Sequence, residues 1–140
     1  MRRTALLTAA AIIIVGVVLV MTLRPTAYFP IARVAAPEGV MLSFLQDQVK
    51  TEADCQAANQ RVTATMLANC KECSLAETRC AGEAAKELGQ THPGNQDMIA
   101  AKGLRILITA PPAAAHALCH SLATGIAAND ATAQCIQAAD

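Results

Sequence analysis

The sequence predicts a small α+β domain behind an apolar N-terminal segment, on three observations. Thr4 to Leu23 is an uncharged run rich in Ile, Val, Leu and Ala. All six cysteines (Cys55, Cys70, Cys73, Cys80, Cys119 and Cys135) follow it. Beyond it, a strand-like run opened by glycine and followed by a helix-like stretch occurs twice, and Gly39 to Cys55 has the same spacing as Gly103 to Cys119. Each helix is followed by a second short strand. Two split strand–helix–strand units predict a ferredoxin-like sandwich, with two helices on one face of an antiparallel sheet.

Residues 1–23 read as a transmembrane anchor. A helix needs about 20 apolar residues to cross a bilayer core, and the run exceeds the 7–15 residues of a signal-peptide core. No small-x-small cleavage pattern follows it directly; the exit is Leu23-Arg24-Pro25. Arg2 and Arg3 precede it, and the positive-inside rule places that end in the cytoplasm. The cysteines then lie on the exported side, where disulfides persist. The expected location is a bacterial inner membrane, crossed once, with the C-terminal domain periplasmic. Residues 24–38 hold Pro25, Pro30 and Pro37 and read as an extended linker. Residues 39–140 form the folded domain.

Within that domain, Gly39 to Leu45 and Gly103 to Thr109 are short apolar runs that fit buried strands. The first helix is expected over Glu52 to Asn69. Thr51 or Asp54 is its cap, because a side-chain oxygen satisfies orphan N–H groups. Its apolar face is sparse: Val62, Met66 and Leu67. The second helix starts at Pro111-Pro112, where Pro is tolerated, and runs towards Ala128, with Asn129-Asp130 as the stop. Cys73 to Arg79 and Thr132 to Ile136 are the strands that follow the helices. Between the halves, Ala81 to Lys102 is an insert with a short helix (Gly82 to Leu88) and a loop built on His92-Pro93-Gly94-Asn95.

Composition removes several function classes. Eleven Lys/Arg balance eleven Asp/Glu. Arg2 and Arg3 lie before the apolar run, so the remainder is slightly acidic and carries no basic stripe. Tyr28, Phe29 and Phe44 are the only aromatics. Nucleic-acid binding lacks both its charge and its stacking platform. No G-x-S-x-G, phosphate-binding loop or G-x-G-x-x-G occurs, so no catalytic residue, metal site or cofactor is assigned, and the chain reads as non-enzymatic. With few aromatics the core must be filled by aliphatic side chains, and crosslinks compensate by restricting the unfolded chain.

Six cysteines allow 15 complete pairings, and the expected fold selects among them. A helix start lies near the end of the strand that follows it, which brings Cys55 to Cys80. Cys70 and Cys73 flank one turn. Cys119 faces the sheet near the strand that holds Cys135. Cys70-Lys71-Glu72-Cys73 also reads as a C-x-x-C, so a membrane-tethered thiol–disulfide oxidoreductase using Cys70 and Cys73 is the alternative function. Against it, a helix C-terminus disfavours a thiolate. Residue 74 is Ser, which excludes haem attachment. Cys70, Cys73, Cys80 and His92 form a candidate zinc set that an oxidising compartment disfavours. His116 and His120, at i and i+4, are a candidate metal pair; the metalloprotease pattern fails because Ala117 stands where Glu is required.

The pattern Asp54-Cys55-Gln56-Ala57-Ala58, Cys70-Lys71-Glu72-Cys73 and Glu77-Thr78-Arg79-Cys80 resembles small cysteine-patterned exported domains of bacterial surface-polysaccharide and envelope-assembly proteins. The resemblance covers under a third of the chain and implies an accessory role in envelope glycan biogenesis, with no catalytic residues carried over. The expected partners are the inner membrane, through the N-terminal helix, and a membrane or periplasmic protein.

Overall fold

The computed structural model describes residues 27–89 and 96–138. The expected anchor at 1–23 and the His92 loop lie outside the described residues. Among the described residues, no helix is long and apolar enough to cross a membrane.

Among the described residues the chain builds six strands and two α-helices: β1 (Phe29–Ala35), β2 (Met41–Gln46), α1 (Glu52–Asn69), β3 (Ser74–Ala81), β4 (Asp97–Ala101), β5 (Leu104–Thr109), α2 (Pro112–Ala127) and β6 (Gln134–Ile136). One sheet runs in the order β3-β1-β2-β5-β4-β6. Every pairing in it is antiparallel. The ferredoxin-like expectation is therefore corrected. Each half is strand–strand–helix–strand, and the third strand returns to flank the first. The two halves meet where β2 pairs with β5, from Met41–Thr109 to Gln46–Leu104.

The correction comes from two strands. Phe29–Ala35, read as linker, is β1 and lies inside the sheet. Its proline is tolerated because Pro30 precedes Ile31–Leu45, the first pair between β1 and β2, and so occupies a strand start. Asp97–Ala101, read as part of an insert, is β4. Its alanines are poor strand formers, but burial on both faces decides: Asp97, Met98, Ile99 and Ala101 are all buried. The short helix expected before it is a single 3₁₀ turn, Lys86–Gly89.

The repeat behind the expectation is real. Gly39 and Gly103 both turn a hairpin with positive φ, 75° and 69°, a conformation that favours glycine. Cys55 and Cys119 are both fully buried on the helices that follow. Register places Val34, Leu42, Ile108 and Asp97 on one face, with Ala32, Phe44, Ile106 and Ile99 beside them. This face carries the core, closed by Ala115, Cys119 and Ala123 of α2. On the other face Ile31, Leu45 and Met98 are buried too. The 3₁₀ turn packs against β2 and β5.

Both helices bury small side chains completely, and Val62, Met66 and Leu67 of α1 with Leu118, Leu122 and Ile126 of α2 pack half-buried against the core. α1 buries Cys55, Ala58, Asn59 and Thr63; α2 buries Ala115, Cys119 and Ala123. The spacing is helical, but each side chain removes little apolar area from water. Local signals hold the helix ends. Thr51 accepts from the Asp54 backbone N–H at 3.1 Å and donates to its carboxylate at 2.8 Å, and Glu52 and Asp54 complement the positive end of the dipole. Pro112 opens α2.

Disulfides add covalent ties to this packing. They join Cys55 to Cys80, Cys70 to Cys73 and Cys119 to Cys135, the same three pairs the sequence suggests. Two of them tie each helix to the third strand of its own half. The Cys55–Cys80 bridge closes a sequence separation of 25, worth roughly 3.5 kcal/mol by loop entropy. The Cys55→Ala/Cys80→Ala double variant is expected to lose stability of that order in urea unfolding, while removal of Cys70 and Cys73, separated by 3, costs about 2 kcal/mol or less.

Candidate functional site

Two places concentrate exposed or polar structure: the outer edge at β3 and a buried carboxylate at the start of β4.

β3 is an eight-residue strand at one end of the sheet, and most of it is exposed. At the other end, β6 has three residues. Short strands protect an edge, whereas a long one leaves unpaired backbone groups. β3 pairs with β1 from Phe29–Ala81 inwards, and the register shifts between Arg33 and Val34, which leaves Ala76 as the bulged residue. Arg33 of β1 reaches Glu77 at 3.3 Å, and Arg79 reaches Glu77 at 3.6 Å. All three are substantially exposed, so they define a charge pattern more than they add stability. Leu75 is 48 % exposed and is the one large apolar side chain so exposed among the described residues.

α1 and β3 enclose a groove of about 500 Å³, lined by Gln56, Gln60 and Thr63 from the helix and Leu75, Thr78 and Arg79 from the strand. Asn59, buried at the groove floor, donates to the Arg79 carbonyl at 2.9 Å and accepts from Gln46 at 3.4 Å. One helix side chain thereby links β2 to the edge strand. With the Cys55–Cys80 bridge, it fixes β3 against α1.

At β4, Asp97 is buried, with its side chain 1 % exposed. One carboxylate oxygen accepts from His116 Nδ1 at 2.5 Å, and the other from the Ala138 backbone N–H at 2.9 Å. A buried carboxylate requires such donors. The pair anchors the first turns of α2 and the C-terminal segment to β4. Sequence reasoning missed Asp97, since nothing local marks it; a lone acid opening an otherwise apolar strand is the signal available.

The other sequence-marked residues separate. His116 turns to Asp97, while His120 faces Gln137 at 3.3 Å. The two histidines line different recesses. No group of three metal-ligating side chains occurs among the described residues. The cysteines of the candidate zinc set are oxidised: Cys70 with Cys73, and Cys80 with Cys55. Cys70 caps the C-terminus of α1, and the Cys73 N–H bonds to its carbonyl, so the bridge closes the turn into β3. Beyond α2, the Asp130 carboxylate accepts from the Thr132 hydroxyl, the Thr132 N–H and the Lys102 N–H. These bonds, the Thr132 hydroxyl foremost, hold its pKa below the ordinary carboxylate value.

Comparison with protein-family models, curated proteins and solved structures finds no match to this chain.

Two outcomes follow from these contacts. His116→Ala leaves Asp97 buried without one donor and is expected to cost about 1–3 kcal/mol in urea unfolding. Because the Asp130 pKa is depressed on folding, its contribution is present above the unfolded value and lost as pH falls through the folded one. Asp130→Asn is therefore expected to flatten the acid limb of a stability–pH profile below about pH 4 and to leave its slope near neutrality unchanged.

Proposed function

We propose that this chain is an exported, non-enzymatic binding module that accepts an extended polypeptide segment along β3. One observation carries the reading: an eight-residue strand closes the sheet with no strand beyond it among the described residues, beside a groove floored by α1, while the opposite edge is cut to three residues. Strand addition supplies affinity through main-chain hydrogen bonds and specificity through neighbouring side-chain recesses. The groove and the exposed Leu75 provide such a recess. The Cys55–Cys80 bridge and Asn59 hold the edge strand in place, which lowers the ordering cost of docking.

Export is part of the proposal. Three disulfides persist in an oxidising compartment, and the uncharged Thr4–Leu23 run supplies the hydrophobic targeting segment. The location that fits is the periplasmic side of a bacterial inner membrane, in service of an envelope assembly.

The test is site-specific photo-crosslinking in cells, with the probe at Leu75 or Thr78 on β3 and at Gln134 on β6 as control. Adducts are expected from the β3 positions only, and thiol alkylation of intact cells is expected to label no cysteine until reductant is added. Equal adducts from both edges, or free thiols in the native protein, would overturn the reading.

A further inference from the structure

Resting on that reading, we propose that the segment docked on β3 is β3 of a second copy, paired antiparallel about a twofold axis through Thr78. Two six-stranded sheets then become one continuous sheet.

The order of charges along the strand selects this register. In a twofold pair of antiparallel strands, the residue on the axis faces its own counterpart, and residues equidistant from it face each other. Glu77 and Arg79 lie on the same face of the sheet, opposite Arg33 and Ile31 of β1. An axis at Glu77 sets glutamate against glutamate. An axis at Arg79 sets arginine against arginine. An axis at Thr78 sets Glu77 against Arg79 of the second copy twice, and threonine against threonine between them. Like charges directly opposite are unfavourable, whereas opposite charges and Thr–Thr pairs are favourable. The sequence around Thr78 is thus self-complementary in one register and self-repelling in its two neighbours.

The surroundings fit the same register. Arg33 already holds Glu77 at 3.3 Å from the β1 side, so Arg79 of the second copy completes an alternating row across the seam. Leu75, exposed in the single chain, comes beside the far end of the second β3. The molecule also contains one such join already, where its two like halves meet through β2 and β5. The bulge at Ala76 limits the straight part of the new ladder to a few residues on each side of Thr78, so the contact is reversible.

The experiment uses the purified, disulfide-intact chain in sedimentation velocity over a concentration series. The wild type is expected to show a concentration-dependent dimer. Glu77→Arg alone and Arg79→Glu alone are each expected to weaken it about tenfold or more, since both seam pairs become like-charged. An equimolar mixture of these two variants is expected to recover dimer, because one contributes only basic and the other only acidic side chains at the seam. Thermal melts establish that both variants are folded. A wild type that stays monomeric throughout, or variants that dimerise as it does, would overturn the proposal. The crosslinks from Thr78 separate this from failure of the docking reading. Adducts between copies support the pairing; adducts solely with a different protein keep the docking edge and remove the second copy; no adduct removes both.

Discussion

The covalent tie between each helix and the third strand of its half is the constraint on which this fold depends. The fully buried positions of α1 and α2 are alanine, cysteine, threonine and asparagine, which let helix and sheet approach closely but bury few methylene groups. Val62, Met66 and Leu67 of α1 and Leu118, Leu122 and Ile126 of α2 pack half-buried against the core around them. The crosslinks add a fixed tie to that packing. Cys55–Cys80 and Cys119–Cys135 supply that tie, each between the helix and the third strand of its half. The apolar core, in contrast, lies where the halves meet, around Leu42, Phe44, Ile106 and Ile108. Hydrophobic burial joins the halves, and sulfur chemistry closes their flanks.

This division has a functional side. An edge strand is a place where backbone hydrogen bonds are unfinished, and it is usually the first part of a sheet to fray. β3 is crosslinked at Cys80, contacted by Asn59 at the Arg79 carbonyl and tied by a second bridge just before its start. An edge tied down in this way, with no strand beyond it among the described residues, suits recognition better than a frayed one. At the opposite end, three-residue β6 is followed by a segment that Asp97 holds down through the Ala138 N–H.

Much of this was legible in the residues. The bounds of α1 and α2 follow from Thr51 and from Pro111-Pro112, local signals that tertiary structure leaves in place. β2 and β5 follow from apolar runs opened by glycines that do adopt positive φ. Cys55–Cys80 follows from a helix start lying near the end of the strand after it, Cys70–Cys73 from one turn, and Cys119–Cys135 from a helix residue facing the sheet beside the next strand, relations shared by the predicted and observed topologies. β1 and β4 were illegible for physical reasons. Three prolines in and around β1 mimic a linker, and β4 is short and alanine-containing; both become strands because neighbouring strands bury them. Missing those two turned a six-stranded sheet into a four-stranded one. The Asp97–His116 contact joins residues 19 apart in a pairing no local motif encodes, and the free edge at β3 is a property of strand order, invisible until the order is known.

Every disulfide in this molecule begins and ends within the same half. Between Ala81 and Asp97 the polypeptide itself is the sole covalent passage from one half to the other. A protease that cut there would leave two separately crosslinked fragments, held together without a covalent bond by the β2–β5 seam, the shared apolar layer and the 3₁₀ turn packed on both strands. Such a pair would come apart and re-form by mass action, with its crosslinks untouched.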